Sequence, residues 1–313
     1  MKARAFLEYA IPYAIAASLA LAATAATAQD RLLRMGDQRG NARAVMEAAG
    51  VLKDLPYRIE WREFPNSAPL FEALAADAID AGPAGAAPLT FAAANGLKAK
   101  GIDASRYVGD AVVVRNDSPF RTLPDLAGRK VAVVKGGSGH ATLLRALKQA
   151  GLRPDSVQPV FLPPAEMTLA LNGGSVDAMV ASEPYVSFAI LKSNDRILVD
   201  GKDFPGLSLI VASEKAIAEK RELLKDFVAR HATARAWGID HAGEYSRIIA
   251  NLLKMPEDIA FSKQRREVMA PQPIDAEVHA LQQMFIDLYF DNGLIARKIE
   301  AGTILDDRFV PKP

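Results

Sequence analysis

The stretch Lys130-Val131-Ala132-Val133-Val134-Lys135-Gly136-Gly137-Ser138-Gly139-His140-Ala141-Thr142-Leu143-Leu144-Arg145-Ala146-Leu147 decides the fold. Residues 130–134 form a short apolar run of the kind buried in a parallel sheet. The glycine turn leads straight into a segment with Leu143, Leu144 and Leu147 on one helical face, ended by Gly151. Strand, glycine turn, helix is half of a βαβ unit. The same alternation recurs along the chain in both directions. It predicts an α/β protein with a mostly parallel sheet and helices on both faces.

Upstream, residues 32–35 read as a strand and residues 42–49 as a helix stopped by Gly50. Tyr57-Arg58-Ile59-Glu60-Trp61 alternates strictly, so Tyr57, Ile59 and Trp61 face inward while Arg58, Glu60 and Arg62 face out. Leu70, Phe71 and Leu74 have core spacing on a helix. Residues 79–81 are a short strand running into the loop Gly82-Pro83-Ala84-Gly85-Ala86-Ala87-Pro88, which opens another helix. The polar turn Arg115-Asn116-Asp117-Ser118-Pro119 marks a crossover, and Thr122 with Asp125 has capping-box spacing before Gly128. Residues 160–162 and 176–181 are strands on either side of a helix opened by Pro163-Pro164 and ended by Gly173-Gly174. Residues 207–212 read as a return strand, and the rest is helical from Glu214 to about Gly293. One α/β unit inserted in another predicts two lobes, residues 29–114 with 209–313 and residues 115–208. A ligand cleft lies between them, where strand ends and helix starts meet.

The opening of the chain sets the compartment. Lys2 and Arg4 precede an apolar run over about residues 10–23, and Ala26-Thr27-Ala28 has the small-x-small pattern of a signal-peptidase site. The run is shorter than the ~20 residues a membrane span needs, and Pro12 and Ser18 interrupt it. Residues 1–28 therefore read as a leader removed before Gln29, and the mature protein as periplasmic. The chain has no cysteine, which excludes disulfides, thiolate catalysis and zinc–thiolate sites. Lys and Arg number 38 against 37 Asp and Glu, and loss of Lys2, Arg4 and Glu8 leaves 36 of each. A neutral chain offers no footprint for nucleic acid or an acidic membrane surface.

Three loops carry candidate chemistry. In Gly136-Gly137-Ser138-Gly139, glycines allow close approach of backbone amides to an anion, and the helix start adds unpaired N–H groups. His140 is placed to donate to an oxyanion. The same loop reads equally as an ordinary glycine-rich turn. It is neither a Walker loop nor a dinucleotide fingerprint, because no Gly-Lys-Ser/Thr follows and the third fingerprint place is Thr142. Ser182-Glu183-Pro184-Tyr185, at a strand end, supplies a carboxylate and an aromatic for a polar ligand or a latch between lobes, or is a plain turn. Gly36-Asp37-Gln38-Arg39-Gly40 is a possible third cradle or a capped helix start.

Catalytic motifs are missing: there is no His-Glu-x-x-His and no Gly-x-Ser-x-Gly. His231, His241 and His279 read as surface residues, and Lys263-Gln264-Arg265-Arg266 as a solvated face.

The loop Lys135 to His140, followed by Leu143-Leu144-Arg145-Ala146-Leu147 and Ala150-Gly151-Leu152, closely resembles the core of aliphatic-sulfonate-binding proteins of ABC importers. So do residues 57–65, Leu162-Pro163-Pro164-Ala165, Gly174-Ser175-Val176-Asp177-Ala178, Glu183-Pro184-Tyr185 and residues 276–283. The resemblance implies a two-lobe periplasmic-binding-protein (venus-flytrap) fold acting as a monomer with an ABC permease. It implies a small organosulfonate in the cleft, with neither cofactor nor metal. By resemblance, the amides of Ser138 and Gly139 with His140 hold the sulfonate. Gln38 and the Gly85–Ala86 backbone face it, while Ser182, Glu183 and Tyr185 form a wall. Two places depart from the family: Ala86 stands where an acid is usual, and Ser182-Glu183 where Trp-Asp is usual. Nitrate, taurine and pyrimidine-precursor binders share the fold, as do enzymes of the desulfinase type. Those enzymes depend on a cysteine that this chain lacks.

Overall fold

A computed structural model describes residues 31–309. The leader and its cleavage site lie outside the described residues. The chain begins with β1 (Leu32–Gln38), α1 (Ala42–Ala48), β2 (Arg58–Phe64), α2 (Ser67–Ala75), β3 (Ala81–Gly85), α3 (Ala86–Ala94) and β4 (Ala99–Tyr107). It then crosses to β5 (Ala111–Val114), β6 (Lys130–Val133), α4 (Ser138–Gln149), β7 (Gln158–Phe161) and α5 (Pro164–Asn172). There follow β8 (Ala178–Ala181), α6 (Tyr185–Lys192) and β9 (Arg196–Asp200). The return brings β10 (Gly206–Ser213), α7 (Glu214–Glu219), α8 (Arg221–Asp240), α9 (Ala242–Leu253) and α10 (Glu257–Arg266). The described chain closes with β11 (Ala270–Gln272), α11 (Ala276–Asp291) and α12 (Ala301–Ile304).

The strands make two sheets, ordered β11-β4-β10-β3-β1-β2 and β7-β6-β8-β5-β9. Both are mixed rather than mostly parallel. β10 runs antiparallel to β3 and β4, and β5 antiparallel to β8 and β9. Only residues 108–110 join β4 of the larger sheet to β5 of the smaller one, so the chain passes directly from one sheet to the other. The lobe boundaries move accordingly. β5, expected in the larger lobe, belongs to the smaller sheet, and the chain returns between Asp200 and Gly206.

Each sheet is covered on both faces. Along β10, Leu209 and Val211 enter one core with Leu70, Leu89 and Tyr289, while Ile210 and Ala212 enter the other with Met35, Phe227 and Ile249. Along β5, Val112 and Val114 pack with Leu143 and Leu147, and Ala111 and Val113 with Met179 and Val186. Strands with two buried faces read as continuous apolar runs. Caps start the helices where local side chains allow it. Asn66 accepts from Ala68 N–H at 3.0 Å, Ser213 from Ala216 N–H at 3.1 Å, and the Thr122–Asp125 capping box forms as expected.

β3 extends to Gly85, through what the sequence suggests is a loop. Pro83 has no N–H for a ladder. Its carbonyl instead accepts the side-chain amide of Gln38 at 3.0 Å, in place of further β1–β3 pairing. The two connections between lobes touch at Gly201. A Cβ there would stand 2.0 Å from the Asp110 carbonyl oxygen, so only glycine lets them pass.

Candidate ligand-binding site

The turn after β6 begins with Gly136 at φ +70°, a left-handed conformation natural to glycine. Gly137 caps α4 in extended geometry, so the first amides of α4 point out of the turn. Among the described residues, the N–H groups of Ser138 and Gly139 meet no acceptor. A helix start of this kind carries partial positive charge. The larger lobe supports the loop from behind, for the Tyr289 hydroxyl on α11 donates to Gly137 O at 2.9 Å.

His140 does not enter the cleft. It is buried, with its ring against Phe161 and Tyr289, and its Nδ1 accepts the Gly136 N–H at 3.2 Å. Burial, with Lys135 adding to it, lowers its pKa to about 4. A neutral imidazole whose Nδ1 holds the Gly136 amide braces the loop and brings no positive charge to a ligand.

Asp110 is the residue that sequence reasoning missed. It is 4% exposed. Its Oδ1 accepts from the hydroxyls of Ser182 at 2.6 Å, Ser138 at 3.1 Å and Tyr107 at 3.1 Å, and its Oδ2 from Thr142 at 3.2 Å. Burial raises its pKa against the pull of those hydroxyls. Ser138 and Ser182 thus spend their protons on Asp110, and what this turn itself offers an anion is backbone amides.

Gln38 lies across the cleft, its Nε2 committed to Pro83 O. Gly85 lines the same cavity, while Ala86 is buried behind it in the first turn of α3. Glu183 is buried, its pKa raised by that burial, and accepts from Arg266 Nε at 2.8 Å and Ser187 N–H at 3.2 Å. Arg266 belongs to α10, which also meets α6 through Ser262 and Ser187 hydroxyls at 2.8 Å and an Asp258–Lys192 pair at 2.8 Å. Glu183 therefore fastens the smaller lobe to α10. The expectation of a solvated Lys263–Arg266 face is corrected: Arg266 holds Glu183, and Lys263 is buried in an ion pair with Glu267.

The cleft has two arms whose shared lining includes Gln38, Arg39, Ser67, Ser138, Ser182 and Glu183. One, of about 440 Å³, is polar and runs to Asn41, Tyr107, Arg235, Tyr245 and Lys263. The other, of about 1040 Å³, is lined by Phe64, Phe71, Phe91, Met167, Tyr185 and Met255 beside the Gly136–Gly139 turn. Anion donors at the junction and an apolar arm beside them suit a small ligand with a charged head and an organic body. Among the described residues there is no cluster of His, Asp and Glu fit to hold a metal, and no helix long and apolar enough to cross a membrane.

His231 is also corrected. It is 3% exposed, not a surface residue. Its Nδ1 lies 2.5 Å from Asp103 Oδ2, and its Nε2 accepts Arg235 Nε–H at 3.1 Å. These partners fix the neutral tautomer with the proton on Nδ1, and burial lowers its pKa.

Two mixed α/β lobes joined by short connections around such a cavity define a protein of the periplasmic-binding-protein fold. The chain belongs to the NMT1-like family, whose model matches residues 38–254. It is 33% identical over 290 residues to a protein of Escherichia coli (strain K12) named for binding aliphatic sulfonates, covering 90% of this chain and 91% of the relative. The crystal structure of the periplasmic aliphatic sulphonate binding protein from Escherichia coli aligns with a TM-score of 0.80 at 32% identity, over 88% of this chain and 97% of that one. The alkanesulfonate-binding protein of Xanthomonas axonopodis pv. citri, solved bound to MOPS, aligns with a TM-score of 0.79 at 25% identity, over 88% and 98%.

Proposed function

We propose that this protein is the solute-binding component of an ABC importer and captures an organosulfonate in the cleft between its lobes. The observation that carries the reading is the pair of open amides, Ser138 and Gly139, at the start of α4, set where a polar and an apolar arm meet. A sulfonate is permanently anionic and has three acceptor oxygens, so fixed amide dipoles suit it. An alkyl body that carries no second charge fits the apolar arm against Phe71, Phe91 and Met255. The relatives named for sulfonates support the same class.

The reading is of a monomeric binder rather than an enzyme. The hydroxyls of Ser138 and Ser182 face Asp110, the histidines nearest the cleft are turned away from it, and the chain has no cysteine. Neither serine is paired with a histidine or a lysine, the usual activating bases of a serine nucleophile; each donates to the buried Asp110 carboxylate instead. Export follows from the leader. N-terminal sequencing of the periplasmic form should begin at Gln29, and a mature soluble protein retaining Met1 would contradict it.

Calorimetric titration tests the ligand class. Hexanesulfonate should bind and raise the melting temperature, by about 2.7 kcal/mol of added stability at a hundredfold excess over Kd. Hexanol, with the same apolar body and no charge, should not. Equal responses would show that the apolar arm alone binds and that the amides of α4 take no part.

A further inference from the structure

The polar arm holds a cation that the sulfonate does not use. The geometry points to Arg235 as a second anion subsite, which takes an acidic group on the far end of the ligand, so that the cleft is built for an organosulfonate bearing a second acid. This rests on the placement of the sulfonate at the start of α4.

Arg235 is 7% exposed and lines the same arm as Ser138 and Ser182. Its Nε donates to His231 Nε2, and its Nη2 donates to Asn41 Oδ1. Both partners are neutral. Among the described residues Arg235 makes no ion pair, and its Nη1 finds no hydrogen-bond acceptor. Buried guanidinium groups are ordinarily paired, because removing a charge from water is costly. Here the carboxylates nearby are engaged elsewhere. Asp37 accepts the N–H groups of Ala42 and Arg43, Asp103 faces the far side of His231, and Glu267 is paired with Lys263.

The arrangement also holds the guanidinium still. Asp103 fixes the imidazole, the imidazole fixes Nε, and Asn41 fixes Nη2, which leaves Nη1 without a protein partner in a residue that lines the arm. A planar fork with one edge fixed and the other open matches a carboxylate or a second oxyanion. With the sulfonate at the α4 amides, a ligand crossing the polar arm brings its second acid to Arg235.

The test is a titration of ω-sulfocarboxylates with two to four carbons, each against its own ω-carboxamide, which has the same shape and no second charge. At one chain length the carboxylate should bind about tenfold to a hundredfold more tightly than the amide, the range for a hydrogen bond to a charged group. The Arg235→Met substitution should bring that ratio close to one. Arg235→Lys, a fallback should the methionine variant not fold, should lower it in part because the fork is lost. Wild-type ratios near one at every length, with the sulfonates still binding, would overturn the second subsite and leave the sulfonate reading intact. A ratio unchanged by Arg235→Met would likewise overturn it and move the charge recognition elsewhere. No binding by any sulfonate, hexanesulfonate included, would overturn both readings.

Discussion

A neutral histidine stands behind each end of the polar arm, and the two hold different things. His140 accepts a backbone N–H, that of Gly136, and so fixes the shape of a glycine turn. His231 accepts a guanidinium N–H, that of Arg235, and so fixes a permanent charge. The first end presents amide dipoles over a carboxylate, Asp110, that can take up a proton. The second presents a cation that cannot lose one. The comparison teaches that the anion affinity of one end follows pH, while that of the other is constant over the range in which His231 stays neutral.

The largest expected difference is in stability. His231→Leu leaves the Asp103 carboxylate and the Arg235 guanidinium without their common partner, and removing one member of a buried charged network costs about 3–5 kcal/mol. His140→Leu keeps the apolar packing against Phe161 and Tyr289 and leaves one N–H unpaired, at about 1–3 kcal/mol. Urea unfolding of the two variants supplies the comparison. Equal losses would mean that Arg235 is held by something other than His231.

Acid should act through His140. Its folded pKa of about 4 lies below the ordinary 6.5, so the unfolded chain binds the proton first. The stability it contributes is complete above 6.5 and is lost as pH falls toward about 4, a total on the order of 3 kcal/mol. In His140→Phe the profile should be shallower over that range, His231 still contributing with the same sign. A wild-type profile no steeper than the variant's would contradict the buried neutral state.

A smaller effect is expected on binding. Burial already raises the Asp110 pKa, and a sulfonate placed beside it raises it further. Proton uptake then accompanies binding, and sulfonate affinity should increase as pH falls through the range in which Asp110 takes up its proton, by at most about tenfold per unit. Asp110→Asn retains an acceptor for the hydroxyls and should remove the dependence. An unchanged slope in that variant would place the proton elsewhere.

The smallest effect belongs to Ser182. The resemblance to the family suggests that Ser182→Trp reshapes only the organic end of the pocket. The 2.6 Å bond to Asp110 shows that it also removes a hydroxyl from that carboxylate. Ser182→Ala separates the two contributions. It should shift affinity for short and long alkanesulfonates alike, by about tenfold or less, whereas Ser182→Trp should also change their order. Calorimetry with a short and a long chain distinguishes the outcomes.

Some of this was legible in sequence because its causes are local. Strand, Gly136-Gly137-Ser138-Gly139 and helix are contiguous, and a glycine turn feeding a helix has one geometric outcome. Leu70, Phe71 and Leu74 declare their burial by helical spacing. The second end of the arm has no such signature. Asp103 lies in β4, whose run Ala-Lys-Gly-Ile-Asp-Ala-Ser-Arg-Tyr is too polar to read as a strand, yet Asp103 is buried within it because His231, a tertiary partner, satisfies it. His231 and Arg235 are one helical turn apart on α8, an ordinary spacing for a solvated face, and only the return of α8 over β4 turns them inward. Asp103 meets His231 across 128 positions and Asn41 meets Arg235 across 194. The same holds for Arg266, whose partner Glu183 is 83 positions away.

The central claim is that the sulfonate sits on the open amides of α4. Amide proton and nitrogen shifts of the ¹⁵N-labelled mature protein, followed during titration with hexanesulfonate, test it most directly. Hydrogen bonding to an oxyanion moves an amide proton strongly downfield, so Ser138 and Gly139 should show the largest such shifts and saturate with the calorimetric Kd. Saturable binding that leaves the Ser138 and Gly139 amides where they began would contradict the account.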